Sequence, residues 1–515
     1  MLQPFEGCLG RPTGALSLAL GLATMCITVD ASAVPAFARQ TGQNCVACHA
    51  GGQFPELTPY GRIFKLTGYT LGTRGLPLSA MAVGTYTRTR NTDTVNTNPA
   101  ANPGGTTNPN GVPTADFPKN GNLIANTGSV FLAGKVTDNI GGFVQMSYDN
   151  YSSQSAVDNH WQGHSHSDNL DIRYADRFID PSSDLIVGLS FNNNPSVQDV
   201  FNSAPAWGFN VVPGSTGAGP GVPSPLLAGG LSQQVVGLGA YAYWNKTVYA
   251  ELSFYRTADK AFSFASQGFN TAKGNQTALR GLNPYFRVAL TREWGAHNAM
   301  VGLMGLSADV YPDPTVPTGP VDKYRDIGLD AQYQYLLDPH TVTAQMSYVR
   351  ERRTYASASQ CGAVDQNAAD PFDPTGASTY CGTGNTLQAA PNAADTLKVF
   401  RAKLSYVYQA KYGSSLSFFD VRGSVSSALQ TSAYDTTNGL QAVTPGIGGN
   451  VLNASGNPAT RGWTGELFWT PVQYARVGMQ YTLFSKFNGA SENYDGFGRN
   501  ARDNNTLLFY VWGAY

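Results

Sequence analysis

Ile327-Gly328-Leu329-Asp330-Ala331-Gln332-Tyr333-Gln334-Tyr335 places its large apolar side chains at every second position, the period of a strand with one apolar face and one polar face. The pattern recurs along the chain. Val342, Ala344, Met346 and Tyr348 alternate with Thr343, Gln345 and Ser347, and Ala475, Val477, Met479, Tyr481 and Leu483 alternate with Arg476, Gly478, Gln480 and Thr482. Segments of this kind predict strands near 77–91, 124–137, 141–152, 169–179, 184–195, 233–245, 247–258, 282–294, 297–311, 322–337, 340–356, 394–410, 414–429, 459–470, 474–487 and 503–515. The connections alternate in length. Short turns such as Asp138-Asn139, Asp180-Pro181, Asn245-Lys246, Gly295-Ala296 and Asp338-Pro339 separate long loops rich in Gly, Asn, Ser and Pro. An even count of about 16 strands with two loop classes predicts an all-β, porin-like transmembrane barrel of the outer-membrane type. A soluble propeller or β-helix is the alternative, but such sheets hide their apolar faces.

Composition agrees with many strands joined by polar loops: of 515 residues 42% are hydrophobic and only 13% charged, with 57 Gly, 27 Tyr and 25 Phe. The last predicted strand carries Leu507, Phe509, Val511, Gly513 and Tyr515 on one face and ends in an aromatic residue. At the other terminus, Arg11, an apolar run from Gly14 to Val29 and Ala31-Ser32-Ala33 form a secretory signal pattern over residues 1–33. No later stretch reaches the roughly 20 apolar residues a membrane helix needs, so a membrane would be crossed by strands. Residues 1–33 hold Arg11, Glu6 and Asp30, and removing them leaves equal numbers of basic and acidic residues. That balance excludes nucleic acid as a partner, because phosphate binding needs an excess of Lys and Arg.

Cysteines are few and patterned. Cys8 and Cys26 fall in the signal segment, and Cys361 and Cys381 bracket a loop that a disulfide would close in an oxidising compartment. The remaining pair belongs to Cys45-Val46-Ala47-Cys48-His49, the c-type haem attachment pattern, in which two thiols add to the haem vinyl groups and the adjacent imidazole ligates the iron. A thioredoxin-like dithiol would need a surrounding βαβ pattern, and a zinc site a second ligand pair. The sequence offers neither. Residues 34–75 therefore read as a small α-helical domain with one covalent haem c, and 76–515 as the barrel. So short a domain buries too little apolar surface to fold alone, and haem would act as its core. Thr58 is the expected N-cap of a helix beginning at Pro59, with Ile63 and Phe64 on its apolar face and Gly68 past its end. The second iron ligand stays open among Met81, His297, His340, Lys65 and Tyr60.

The stretch Pro35-Ala36-Phe37-Ala38-Arg39-Gln40-Thr41-Gly42, the motif from Cys45 to His49, Phe54-Pro55-Glu56-Leu57-Thr58-Pro59-Tyr60-Gly61-Arg62 and Phe64-Lys65-Leu66-Thr67-Gly68-Tyr69 resembles the fused monohaem cytochrome–porin family of iron-oxidising bacteria. The resemblance covers about forty residues. It implies an outer-membrane oxidoreductase that takes electrons from extracellular Fe(II) and passes them to a periplasmic acceptor, a small copper protein or a soluble c-type cytochrome, with Cys45, Cys48 and His49 as the haem-binding residues. The same architecture admits a transport channel with a structural or sensory haem plug, or an electron conduit for another donor.

A barrel of this size encloses a lumen that a forty-residue domain can plug. Arg476, Gln480, Lys486, Arg401, Lys403, Asp330 and Glu251 are expected to face that lumen, and Tyr481, Tyr406, Tyr408 and Phe254 the outer-membrane lipid. His160, His164 and His166, flanked by Asp158 and Asp168, form a candidate metal-collecting cluster in the loop after the third strand.

Overall fold

The computed structural model describes residues 35–53, 55–90, 121–154, 161–195, 199–203, 222–267, 277–311, 317–355, 392–426, 433–434, 441–442, 455–494 and 500–515. Sixteen strands form one closed antiparallel barrel. They are β1 (Leu78–Thr89), β2 (Leu123–Lys135), β3 (Ile140–Gln154), β4 (Trp161–Asp180), β5 (Ser183–Asn192), β6 (Val235–Trp244), β7 (Val248–Thr257), β8 (Asn283–Trp294), β9 (His297–Val310), β10 (Asp322–Leu337), β11 (His340–Thr354), β12 (Ala394–Tyr408), β13 (Tyr412–Gly423), β14 (Thr460–Val472), β15 (Ala475–Lys486) and β16 (Thr506–Ala514). Each pairs with its neighbours in sequence, and β1 closes on β16 with Met81 opposite Ala514 and Thr89 opposite Thr506. Closure leaves the wall no free strand edge, which the hydrocarbon core of a membrane requires.

The alternation sorts side chains as expected. On β10, Leu329 is 58% exposed and its neighbour Asp330 is 5% exposed. Val130, Leu238, Leu252, Val301, Leu404, Leu416 and Leu467 are likewise exposed on the wall. Toward the short-turn end Trp244, Trp294, Tyr408, Tyr412 and Trp469 are exposed, and toward the long-loop end Tyr348 and Trp463 are exposed. An outward apolar band between aromatic girdles is the signature of an outer-membrane barrel. Tyr481, Tyr406, Tyr408 and Phe254 belong to this outward surface. Among the described residues no helix is long and apolar enough to cross a membrane. The short turns meet the backbone twist they need, Asn245 and Lys246 both having φ of 50°.

Two strand boundaries differ from the sequence reading by more than three residues, and one face differs as well. β4 starts at Trp161 instead of 169, and β13 ends at Gly423 instead of 429. Lys486, expected in the lumen, is exposed on the outward side. The register shifts between Arg461 and Gly462, so Phe484 pairs with Gly462 while Lys486 pairs with Arg461. Such a bulge adds a residue to one strand and reverses the face of everything beyond it.

Three short helices, α1 (Pro35–Thr41), α2 (Cys45–Cys48) and α3 (Pro59–Leu66), precede β1. They belong to the same compact unit as the barrel, Ser32–Tyr515, and lie inside its short-turn end. Arg39 donates to the Leu78 carbonyl at 2.5 Å, the Gln40 side-chain Oε1 accepts from the Lys135 backbone amide at 2.8 Å, and Arg74 donates to the Val136 carbonyl. α3 is capped as expected: the Thr58 hydroxyl accepts from the Gly61 amide at 3.1 Å, Pro59 takes the first helical position, and Gly68 leaves the helix with φ of 71°. Phe37 stacks on Tyr69 at 5.2 Å and meets the edge of Phe64 at 5.0 Å. Residues 1–34, and with them the signal segment, lie outside the described residues.

Candidate functional site

Cys45 opens α2, Cys48 ends it, and His49 leaves it in extended conformation with its amide on the Cys45 carbonyl. One turn of helix thus turns both thiols and the imidazole toward one cavity. That cavity, of about 140 Å³, is lined by Cys45, Cys48 and His49 together with Phe37, Leu57, Phe64, Tyr69 and, from the wall, Phe143. α3 crosses close behind α2, and Gly61 permits it, because a methyl group there would overlap the Cys48 carbonyl oxygen.

The electrostatics fit a ligand set better than a redox dithiol. Burial pushes the His49 imidazole down to about 4, with Glu56 pulling it back, so the ring is in the neutral form that binds a metal. Its Nδ1 is buried without a hydrogen-bond partner, so internal hydrogen bonding does not explain its placement. Burial, aided by Cys45, pushes the Cys48 thiol up to about 11. Reactive Cys-X-X-Cys pairs show the opposite shift. The Cys45 sulfur lies 3.5 Å from the Gln473 carbonyl, in the turn between β14 and β15, which places this edge of the cavity at the short-turn mouth.

Of the five residues considered as a second ligand, Lys65 lines the cavity. Burial lowers its ammonium to about 8, with Asp171, 3.8 Å away, opposing the shift. The others are engaged elsewhere. Met81 accepts from the Trp512 indole at 3.4 Å, His297 bonds the Tyr333 hydroxyl at 2.7 Å and His340 the Tyr406 hydroxyl at 2.9 Å. Tyr60 is exposed.

Polar contacts lock the plug to the wall. Arg62 reaches Asn298 at 2.9 Å and Gln332 and Gln334 at 3.3 Å, Glu56 pairs with Lys403 at 2.7 Å, Tyr69 donates to Asp171 at 2.6 Å, and Tyr241 donates to the Leu66 carbonyl at 2.7 Å. The expected lumen residues Arg476, Glu251 and Asp330 are buried in the same interior, Arg476 on Glu466 at 2.7 Å and Glu251 accepting from Tyr249 and Ser253. Gln480 is buried and Arg401 half-buried.

The described parts of the loop between β5 and β6, residues 199–203 and 222–234, fold into the barrel. Asp199 and Asp330 flank the fully buried Arg287 at 3.2 and 2.5 Å, Phe201 stacks under Arg287 and Arg62, and Asn202 donates to the Pro55 carbonyl at 2.5 Å while lining the cavity. Further along, Leu226 and Leu227 donate their amides to Glu351 and Asp326 and pack with Leu231, Tyr255 and Tyr285. The signal was present in Pro225-Leu226-Leu227 and Leu231, apolar residues misplaced in a solvated loop.

Two of the three clustered histidines lie on a strand and not in a loop. His164 and His166 lie on β4, their rings stacked at 5.7 Å, with His164 on the Gln267 carbonyl at 2.6 Å and His166 3.8 Å from Asp149. Register shifts between β3 and β4 extend pairing past the expected strand end. His160 lies outside the described residues, and among those described no three His, Cys, Asp or Glu side chains converge as a metal site. Cys361 and Cys381 also lie outside the described residues.

No family model matches the chain, and no curated protein matches it. Among solved structures it is similar to the outer membrane channel DcaP of Acinetobacter baumannii, at 10% identity and TM-score 0.41 over 85% of this chain and 96% of that one. It is also similar to Salmonella typhi OmpF in complex with daunomycin (9%, 0.39, over 85% and 97%) and to a loop-deleted OmpT of Vibrio cholerae (8%, 0.39, over 85% and 98%). The assignment of a 16-stranded barrel rests on the strand ladder itself.

Proposed function

We propose that this outer-membrane barrel holds one covalent haem c in its plug and serves as an oxidoreductase, moving electrons between a donor outside the cell and a periplasmic carrier. The observation that carries the reading is the Cys45–His49 motif facing a largely apolar cavity inside a closed, plugged barrel. Cys45 and Cys48 would form the thioethers, His49 would ligate the iron, and Lys65, which lines the same cavity, would be the candidate second ligand. Haem bound there supplies one-electron redox chemistry, with a potential set by its axial ligands and burial. Phe37, Leu57, Phe64 and Phe143 give the cavity an apolar lining, and Asn202 of the inward loop borders it. Gln43 and Asn44, exposed at its short-turn edge, face the side from which a small copper protein or soluble cytochrome would approach.

Fe(II) is the donor implied by the family resemblance, and it is chemically reasonable at this site: ferric products would stay outside while only charge crosses. The second reading, a transport channel whose haem plug is structural or sensory, is favoured by the porin-like barrel itself. Anaerobic addition of Fe(II) to the purified holoprotein separates the two. Rapid growth of the reduced haem α-band supports iron oxidation. An unchanged spectrum, together with solute flux into proteoliposomes, supports the channel, and reduction only by other members of a donor panel reassigns the donor.

A further inference from the structure

Outward on β10 to β15, the aromatic girdle is followed by a row of cations. Tyr348 pairs across the ladder with Phe400, and Phe418 pairs with Trp463 with their rings 4.7 Å apart. Two residues further toward the long loops, Arg350 stands directly opposite Lys398, and Lys398 opposite Arg422. Arg461 stands opposite Lys486, the lysine that the bulge turns outward, and Arg352 opposite Arg325. Arg350, Arg352, Lys398, Arg422 and Lys486 are all exposed.

Like charges directly opposite each other destabilise a ladder, and this row has little internal compensation. Asp420 is shared by Arg422 and Arg461, at 2.6 and 3.1 Å, and Asp309 by Arg280 and Arg325. Arg350, Arg352 and Lys398 have no carboxylate partner among the described residues. The other acids on these strands, Asp322, Asp326, Asp330, Glu351, Asp395 and Glu466, are buried. At the opposite mouth Lys135 pairs with Asp138 and Arg177 with Asp184, while Lys246, Arg292 and Lys411 are exposed at separate points of the rim. What sets the long-loop rim apart is that its cations stand directly opposite one another across the ladder.

Their height identifies the occupant. Aromatic girdles mark the membrane interface, and two residues of strand add roughly 7 Å, which brings the cations to the level of the lipid headgroups. We propose that the face formed by Arg350, Lys398 and Arg422, flanked by Arg352, Arg461 and Lys486, binds the phosphate groups of an outer-leaflet lipid. The first three span two inter-strand gaps, about 10 Å in all, a width suited to a headgroup with more than one phosphate. Arginine forks add paired hydrogen bonds to such groups.

Native mass spectrometry of the purified holoprotein in detergent tests this with lipid A carrying two phosphates, its dephosphorylated form and inorganic pyrophosphate as probes. The native barrel should retain at least tenfold more lipid A than the Arg350→Gln, Lys398→Gln, Arg422→Gln triple variant, and little of the dephosphorylated lipid. Arg350→Lys, Arg422→Lys should keep most of the binding. Without any variant, raising the salt concentration should strip lipid A from the native protein. Equal retention by the triple variant, equal retention of the dephosphorylated lipid, or indifference to salt would overturn the proposal. So would saturable pyrophosphate binding to the row without lipid A retention, which would assign it to a soluble anion.

Discussion

Sixteen strands close the wall through backbone hydrogen bonds that pass from each strand to the next, whereas the plug has three helices of seven, four and eight residues fastened to that wall largely by side chains. The wall's ladder survives most exchanges of side chain because every bond in it is main-chain. The plug depends on particular polar groups, Arg62, Glu56 and Tyr69 among them, and keeps a cavity beside its only motif. The lesson is one of division: the barrel is a self-sufficient container, and the plug is a guest whose stability comes from the container and from whatever fills the cavity.

The strongest attempt to break this contrast is Cys48→Ala. Covalent haem should disappear from a denaturing gel while the barrel keeps its heat-modifiable mobility; normal haem staining would end the attachment model, and loss of the folded band would end the independence of the wall. Next comes the inward loop. Arg287→Met leaves Asp199 and Asp330 buried without their counter-charge, which should cost about 3–5 kcal/mol and expose the loop to protease, measured by limited proteolysis and thermal unfolding. Adding Asp199→Asn and Asp330→Asn should recover much of that loss.

Arg62→Ala removes a donor from several buried acceptors of plug and wall, and should cost about 1–3 kcal/mol. Hydrogen exchange should accelerate in α3 and stay unchanged in β12–β15; a uniform acceleration would mean plug and wall unfold together. The smallest effect is Thr58→Ala, which deletes the α3 cap and should cost about 1 kcal/mol, confined to the plug in the same exchange measurement.

The division also governs what could be read in advance. The period-two alternation around Ile327–Tyr335, the short turns at Asn245-Lys246 and Asp338-Pro339, and the cap and stop of α3 are local, each determined by a few consecutive residues. The outward tyrosines and the inward Arg476, Gln480 and Asp330 follow from the same parity. Parity failed where a bulge intervened, at Lys486, and strand extent failed where cross-strand pairing carried His164 and His166 into β4.

By itself, then, the chain's order of residues determined a closed wall of about sixteen strands, a small helical leader with one helix placed from Thr58 to Gly68, and the cluster Cys45, Cys48 and His49, because each is encoded by neighbours in sequence. Only the folded molecule decided that Lys65 borders the cavity while Met81, His297 and His340 do not, that Asp199 and Asp330 meet on Arg287, and that Arg350, Lys398 and Arg422 stand side by side. Those groups lie tens to hundreds of residues apart, and their meeting is fixed by barrel closure and register, which no short stretch contains.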